Sequence, residues 1–82
     1  MTSQLRRAAA GVPANIAEGF SRRSNKEKIQ FYNIASGSLS EIKSFLYLSE
    51  KLGFIDNSQL NELLSVATKL LKMISASKRA LK

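Results

Sequence analysis

The sequence predicts an all-α fold, an antiparallel up-and-down bundle of three long helices in one domain spanning residues 1–82. Apolar residues recur every three or four positions in three long stretches, which is the period of an amphipathic helix. The stretches are separated by polar capping sequences, and the alternation that indicates a strand is missing from the sequence. These observations predict helices over about 3–22, 25–52 and 57–81.

The first helix is predicted from an apolar face that continues across a proline. Pro13 removes one backbone hydrogen bond and crowds the preceding turn, at a cost of ~3 kcal/mol in a helix interior. The apolar period nevertheless runs from Val12 to Ile16. We therefore expect one helix, kinked at Pro13, rather than two. Gly11 gives the backbone room there, and Gly19 allows a neighbouring element to approach closely. The apolar face consists of Leu5, Ala9, Val12, Ile16 and Phe20.

The second helix is predicted to begin after a capping box formed by Ser24 and Glu27, whose side chains can each satisfy the other's backbone donor. It continues to Leu52, and Gly53 follows at the C′ position. Its apolar residues cover about half of the circumference, so it must pack against more than one partner. The main stripe is Phe31, Ala35, Leu39, Ile42 and Leu46, and the second stripe is Ile34, Phe45, Leu48 and Leu52.

The third helix is predicted to begin after Asp56, with Gln59 completing a second capping box. Only Gly53, Phe54 and Ile55 separate this cap from the second helix, so the two helices should be antiparallel neighbours. The predicted core face consists of Leu60, Leu63, Leu64, Ala67, Leu70, Leu71, Ile74 and Leu81.

The composition argues against an enzyme. The chain has 82 residues and contains neither cysteine nor histidine, which excludes disulfides, thiolate and imidazole metal ligands, and the usual nucleophile–base pairs. Its six acidic residues are scattered singly, a poor basis for an all-oxygen metal site. We expect no catalytic residue, cofactor or metal. No apolar run reaches the ~18 residues of a membrane span, and there is no signal-peptide pattern, so we expect a soluble cytoplasmic protein.

The second stripe of the second helix would remain partly exposed in a three-helix bundle. Exposed apolar patches of this kind usually mark an interface. We therefore expect a homo-oligomer, with Ile34, Phe45, Leu48 and Leu52 as interface candidates.

Glu41 is the acid whose position is least expected, because it falls within this second stripe. A carboxylate there is costly unless it is paired and hydrogen-bonded. Arg6 or Arg7 is the candidate partner, and Asn15 is also within reach. We favour a buried or interfacial ion pair that fixes the helix register over a ligand pocket with a perturbed acid. Asn15 and Glu18 are expected to act as structural hydrogen-bonding residues.

The basic residues should gather at one end of the bundle. The net charge is +7, and an up-down-up topology brings together the end of the first helix, the start of the second and the end of the third. This basic pole is a candidate phosphate-binding surface for RNA or DNA. The alternative is an ordinary solvated surface whose cations are favoured by the helix dipole. The residues of the basic pole are Arg22, Arg23, Lys26, Lys28, Lys78, Arg79 and Lys82.

Five segments resemble a known family: 4–9 (QLRRAA), 13–19 (PANIAEG), 34–38 (IASGS), Glu41 and 52–53 (LG). They are similar to the bacterial four-helix bundle proteins, also called the 23S ribosomal RNA intervening-sequence protein family. The resemblance covers nearly the whole chain. It implies an antiparallel four-helix bundle, a homopentamer, and kinship to accessory proteins of diversity-generating retroelements, which are basic pentamers that bind a reverse transcriptase and nucleic acid. It implies no enzymatic activity.

The chain departs from the family pattern in two places. The family has a further helix before the segment that begins at Gln4, whereas here only residues 1–3 precede it. We expect this chain to lack that first helix, through a late start codon or truncation, and another subunit to cover the unpaired face of the second helix. Residues 10–12 (AGV) replace bulkier or hydroxylated residues and loosen the approach to the proline.

Two functions are therefore expected. The first is a non-enzymatic, self-associating helical-bundle module that acts as an interaction or scaffold protein, with a protein or RNA partner. The alternative is a nucleic-acid-binding accessory factor that acts through the basic pole, with a reverse transcriptase as one candidate partner.

Overall fold

The computed structural model describes residues 2–81, apart from the side chains of Thr2, Gln4, Leu5, Arg6 and Ala8. Within this part of the chain all regular structure is helical: α1 (Thr2–Ser21), α2 (Asn25–Lys51) and α3 (Asn57–Arg79). The all-α, up-and-down prediction is confirmed, and each helix boundary lies within two residues of its predicted position. α1 runs through Pro13 as one helix, as expected from the apolar period.

Of the two predicted capping boxes, the one at Asp56 is complete, whereas at Ser24 only the bond to the Ser24 side chain is observed. Ser24 Oγ accepts a hydrogen bond of 3.1 Å from the Glu27 N–H, and Asp56 forms a complete capping box with Gln59. Gly53 follows the Leu52 cap of α2, and its φ of 82° is favourable only for glycine. The Gly53 N–H donates to Glu50 O, as it does in the Schellman motif. These local signals set where α2 and α3 begin and where α2 turns back.

The three helices form an open arrangement rather than a closed bundle. α1 and α3 both pack on α2, and within the described residues they do not contact one another. The Cα atoms span 44 × 22 × 13 Å. α2 is therefore the central helix, and one side of the layer lies open between α1 and α3.

A small core holds α1 and α3 to α2, and Tyr32 of α2 is its largest member. Tyr32 is only 3% exposed, although the sequence pattern had not placed it in the core. Its ring lies against the backbone of α1 at Gly19, where a Cβ atom on residue 19 would come within 2.6 Å of Tyr32 Cε1. Gly19 is thus required for this close approach. The buried core cluster consists of Val12, Tyr32, Ala35, Leu39, Ala67 and Ile74.

Three residues of the predicted apolar and core faces are instead exposed. Phe20 of α1 is 67% exposed, with only the edge of its ring against Tyr32, at 6.2 Å between ring centroids. Leu63 of α3 is 43% exposed. Ala9 of α1 is exposed as well. The expected burial of these three residues was wrong, because α1 and α3 do not contact one another in the described part of the chain.

Candidate functional site

The open side of the layer is an apolar groove. α2 forms its floor, α1 and α3 form its two sides, and its volume is about 300 Å³. Every lining residue is apolar, so the groove offers van der Waals contact and hydrophobic burial. The lining residues are Ala9, Val12, Pro13, Leu39, Ile42, Leu46, Leu63, Val66, Ala67 and Leu70.

Exposed apolar side chains extend the groove along both sides. On α3, Val66 is 51% exposed and Met73 is 64% exposed, and Leu70 lies between them at helical spacing. On α1, Phe20 lies one helical turn beyond Ile16. Helix packing therefore leaves a long apolar surface uncovered.

A second apolar surface lies on α2, at the residues predicted to form the oligomer interface. We call it the α2 patch: Ile34, Phe45, Leu48 and Leu52. Phe45 is half-buried, and the other three are exposed. The predicted exposure of this stripe is therefore observed, whereas its role as an interface stays a prediction.

Glu41 lies among these α2 patch residues and is exposed. Glu41 is therefore not buried within the chain, and the other expected form, an ion pair at an interface, stays a prediction. Arg7 is also exposed, and the described residues contain no ion pair between Arg7 and Glu41. The side chain of Arg6, the other predicted partner, lies outside the described residues. Asn15 instead donates a hydrogen bond of 2.6 Å to Gly11 O within α1.

Glu18 pairs with Arg22 on the same helix turn. Arg22 Nη2 lies 2.9 Å from Glu18 Oε2, which is the one ion pair in the described part of the chain. The guanidinium group of Arg22 also lies over the Phe31 ring, at 4.8 Å from the ring centroid. Arg22 is exposed, but it is already engaged with two local partners.

Hydrogen bonds bring the three helix ends of the basic pole together. Asn25 Nδ2 donates to Leu81 O at 2.8 Å, and Lys28 Nζ donates to Phe20 O at 3.2 Å. These bonds join the start of α2 to the ends of α3 and α1. The pole is therefore formed as the topology predicted, with Lys82 outside the described residues.

The cations of the pole differ in how freely they face solvent. Arg23, Lys26 and Arg79 are exposed, whereas Lys28 and Lys78 are half-buried. Lys78 Nζ donates a 2.9 Å hydrogen bond to Asn33 Oδ1 across the α2–α3 contact.

Sequence reasoning missed a shallow depression that adjoins the pole. It is lined by residues that include Ser75, Lys72 and Arg79. The spacing of Lys72 and Arg79, seven residues apart on one helical face, is the signal that would have indicated it.

Two features are missing from the part of the chain that the structure describes. Among them, no group of three or more His, Cys, Asp or Glu side chains is placed to hold a metal ion. None of the described helices is long and apolar enough to cross a membrane.

A family model described as 23S rRNA-intervening sequence protein matches residues 1–76. The chain belongs to this family. The match confirms the resemblance drawn from the sequence motifs. A comparison with curated proteins found no match. For this member of the 23S rRNA-intervening sequence protein family, the kinship to retroelement accessory proteins and the absence of a first helix remain predictions.

Proposed function

We propose that the chain is a non-enzymatic, self-associating helical-bundle module that acts as an interaction or scaffold protein. The observation that carries this proposal is the apolar groove between α1 and α3. Large exposed apolar surfaces on soluble proteins usually mark sites of interaction with another protein. The groove lining consists of aliphatic side chains and Pro13 and contains no acid, base or nucleophile, which favours binding over catalysis.

The total exposed surface supports the same proposal. A compact protein of 9.1 kDa is expected to expose about 4,900 Å². This chain exposes 5640 Å². The excess is about 700 Å², close to the roughly 800 Å² that each partner contributes to a standard protein–protein interface. One interface of ordinary size would bring the chain to the exposure of a compact protein.

Multi-angle light scattering at several concentrations tests self-association. We expect a mass above the 9.1 kDa of one chain that rises with concentration until the complex is saturated. A mass of one chain at every concentration would contradict the proposal. The measured mass also gives the number of copies, for which the family resemblance implies five. A cytoplasmic location is part of the proposal, since a chain without cysteine suits a reducing compartment.

The second candidate function is nucleic-acid binding through the basic pole, alongside a reverse transcriptase in keeping with the family resemblance. Its supporting observation is the grouping of Arg23, Lys26 and Arg79 at the joined helix ends. Such a surface would contact phosphates without reading base sequence, and binding would weaken with salt as counterions are released.

Binding to mixed-sequence RNA and DNA over a salt series tests this second function. The variant Arg23→Glu/Lys26→Glu/Arg79→Glu should lose most of the affinity and have a shallower salt dependence. A control with the same change in charge is Lys43→Glu/Lys51→Glu/Lys69→Glu, which lies away from the pole. Equal losses in both variants would indicate that only net charge matters and would remove the pole as a site.

A further inference from the structure

The two uncovered apolar surfaces of the chain carry opposite charges near their middle. On α2, Glu41 lies within the α2 patch, between Ile34 and Leu48 on the same side of the helix. On α3, Lys69 lies beside an outer seam of apolar residues that runs along the groove. The outer seam consists of Leu63, Val66, Leu70 and Met73.

Glu41 and Lys69 are both exposed, and neither belongs to the one ion pair in the described part of the chain. A carboxylate that becomes buried among apolar side chains is costly unless a cation pairs with it. A surface that covers the α2 patch must therefore be apolar and carry a positive charge. The groove of another copy, with Lys69 at its side, meets both requirements.

We propose that the α2 patch of one copy docks in the groove of the next copy, with Glu41 paired to Lys69 of the partner subunit. This inference rests on the proposed self-association and identifies the two surfaces and the ion pair that hold the copies together. Because the two surfaces differ, each copy in a pair still has one surface free for a further copy. Such contacts close into a ring when the rotation between copies allows it. A ring of five chains, the number that the family resemblance implies, needs only this one kind of contact.

The two surfaces have compatible lengths. At about 1.5 Å per residue, the α2 patch extends about 21 Å from Ile34 to Leu48, and the outer seam about 15 Å from Leu63 to Met73. Each charge lies near the middle of its surface, so Glu41 and Lys69 meet whether the two helices run parallel or antiparallel.

The charges also disfavour the competing arrangements. Two copies joined patch to patch would bring two Glu41 carboxylates together, and two copies joined groove to groove would bring two Lys69 side chains together. Glu62 lies two helical turns before Lys69 on the same side of α3, so a slip of two turns would place Glu41 near another carboxylate. Like charges across an interface exclude wrong partners and fix the register.

Reversing the two charges tests the ion pair. Glu41→Lys and Lys69→Glu should each weaken self-association at least about tenfold, because each places like charges opposite one another. A chain that carries both changes should associate within about threefold of the wild type, since the pair is restored in reverse. Light scattering over a concentration series measures association, and circular dichroism checks that the helix content is unchanged. Lys72→Glu is the matched control for Lys69→Glu, because Lys72 is exposed and lines the shallow depression outside the groove.

Net charge alone predicts a different pattern. Glu41→Lys raises the net charge of +7 by two, whereas Lys69→Glu lowers it by two. If repulsion between whole chains controlled association, Lys69→Glu and Lys72→Glu would both strengthen it. That result, or a doubly changed chain as weak as the single variants, would overturn the proposal. The charge control for nucleic-acid binding contains Lys69→Glu, so its mass should be measured together with its binding.

Two further variants each disable one surface. Val66 and Leu48 are 51% and 45% exposed, so a glutamate at either position should leave the helix content unchanged. Val66→Glu places a carboxylate in the groove, and Leu48→Glu adds one to the α2 patch. Each variant alone should associate at least about tenfold more weakly than the wild type, because the added carboxylate would be buried without a partner.

Mixing these two variants tests whether the contact joins different surfaces. The Val66→Glu chain keeps an intact α2 patch and the Leu48→Glu chain keeps an intact groove, so the mixture should form one-to-one complexes with twice the 9.1 kDa mass of one chain. If either variant alone associates as the wild type does, or if the mixture gives no complex, this inference is overturned while the proposed self-association stands. A wild-type chain that is monomeric at all concentrations would overturn both.

Discussion

The two sides of α1 differ in how closely another helix of the chain packs against them. On one side, the backbone of α1 at Gly19 rests against the ring of Tyr32, and the contact is so close that no side chain fits between them. On the other side, Pro13 lines the open groove, and Phe20 is exposed apart from the edge contact of its ring with Tyr32. Both sides are apolar, so hydrophobicity alone does not separate them. The difference is geometric, since a glycine opposite a large ring lets α1 and α2 meet, whereas α1 and α3 are not in contact across the groove.

Removing the Tyr32 ring from the contact between α1 and α2 should have the largest effect on stability. Tyr32→Ala is expected to lower the free energy of unfolding by about 3–5 kcal/mol, because it leaves a cavity at the α1–α2 contact. Phe20→Ala, the matched change at the exposed ring, should cost much less, since Phe20 is 67% exposed. Urea unfolding followed by circular dichroism, at one fixed chain concentration, measures both values. Equal losses would show that the two sides do not differ as described.

Adding a single methyl group at the contact between Gly19 and Tyr32 should have an intermediate effect on stability. Gly19→Ala places a Cβ 2.6 Å from Tyr32 Cε1, and the resulting overpacking should cost about 1–3 kcal/mol. Gly11→Ala is the control, because its Cβ would lie 3.6 Å from Ser38 Oγ, an ordinary contact. The higher helix propensity of alanine should then stabilise the chain by up to about 1 kcal/mol. Thermal unfolding compares the two, and a neutral Gly19→Ala would mean that Tyr32 can move away.

Breaking the exposed ion pair between Glu18 and Arg22 should have the smallest effect on stability. It measures how much a surface contact contributes in this chain. Glu18→Gln should lower stability by about 0.3–0.5 kcal/mol, because the pair with Arg22 is solvated and lies within one helix. A double-mutant cycle with Arg22→Gln gives the coupling energy between the two side chains. Coupling should shrink as salt is added. A coupling above about 1 kcal/mol would indicate that the Arg22 contact with Phe31 stiffens the pair.

Much of the fold could be predicted because its signals are local. Ser24, Asp56 and Gly53 act through hydrogen bonds and dihedral angles within a few residues, so their positions in the sequence predict the helix ends. Continuation of α1 through Pro13 was also predictable, since the apolar period crosses it. The grouping of cations at the basic pole followed from helix order and the short connections.

The candidate site was less predictable, because it depends on which helix faces meet. Leu63 and Leu60 have the same residue type and lie three residues apart, yet one lines the groove and the other is buried. Glu41 was expected in a buried or interfacial ion pair because its neighbours on α2 are apolar, and within the chain it is exposed. An apolar stripe predicts that a helix surface can be buried, but it does not identify the element that covers it.

The sequence by itself determined three amphipathic helices, their caps, their antiparallel order, the family of the chain and the clustering of positive charge. These depend on backbone geometry and periodicity within single segments. Only the tertiary structure decided that Tyr32 is central, that Gly19 is its required neighbour, and that α1 and α3 remain apart. These depend on the distance between helices, which is set by the volumes of facing side chains far apart in the chain.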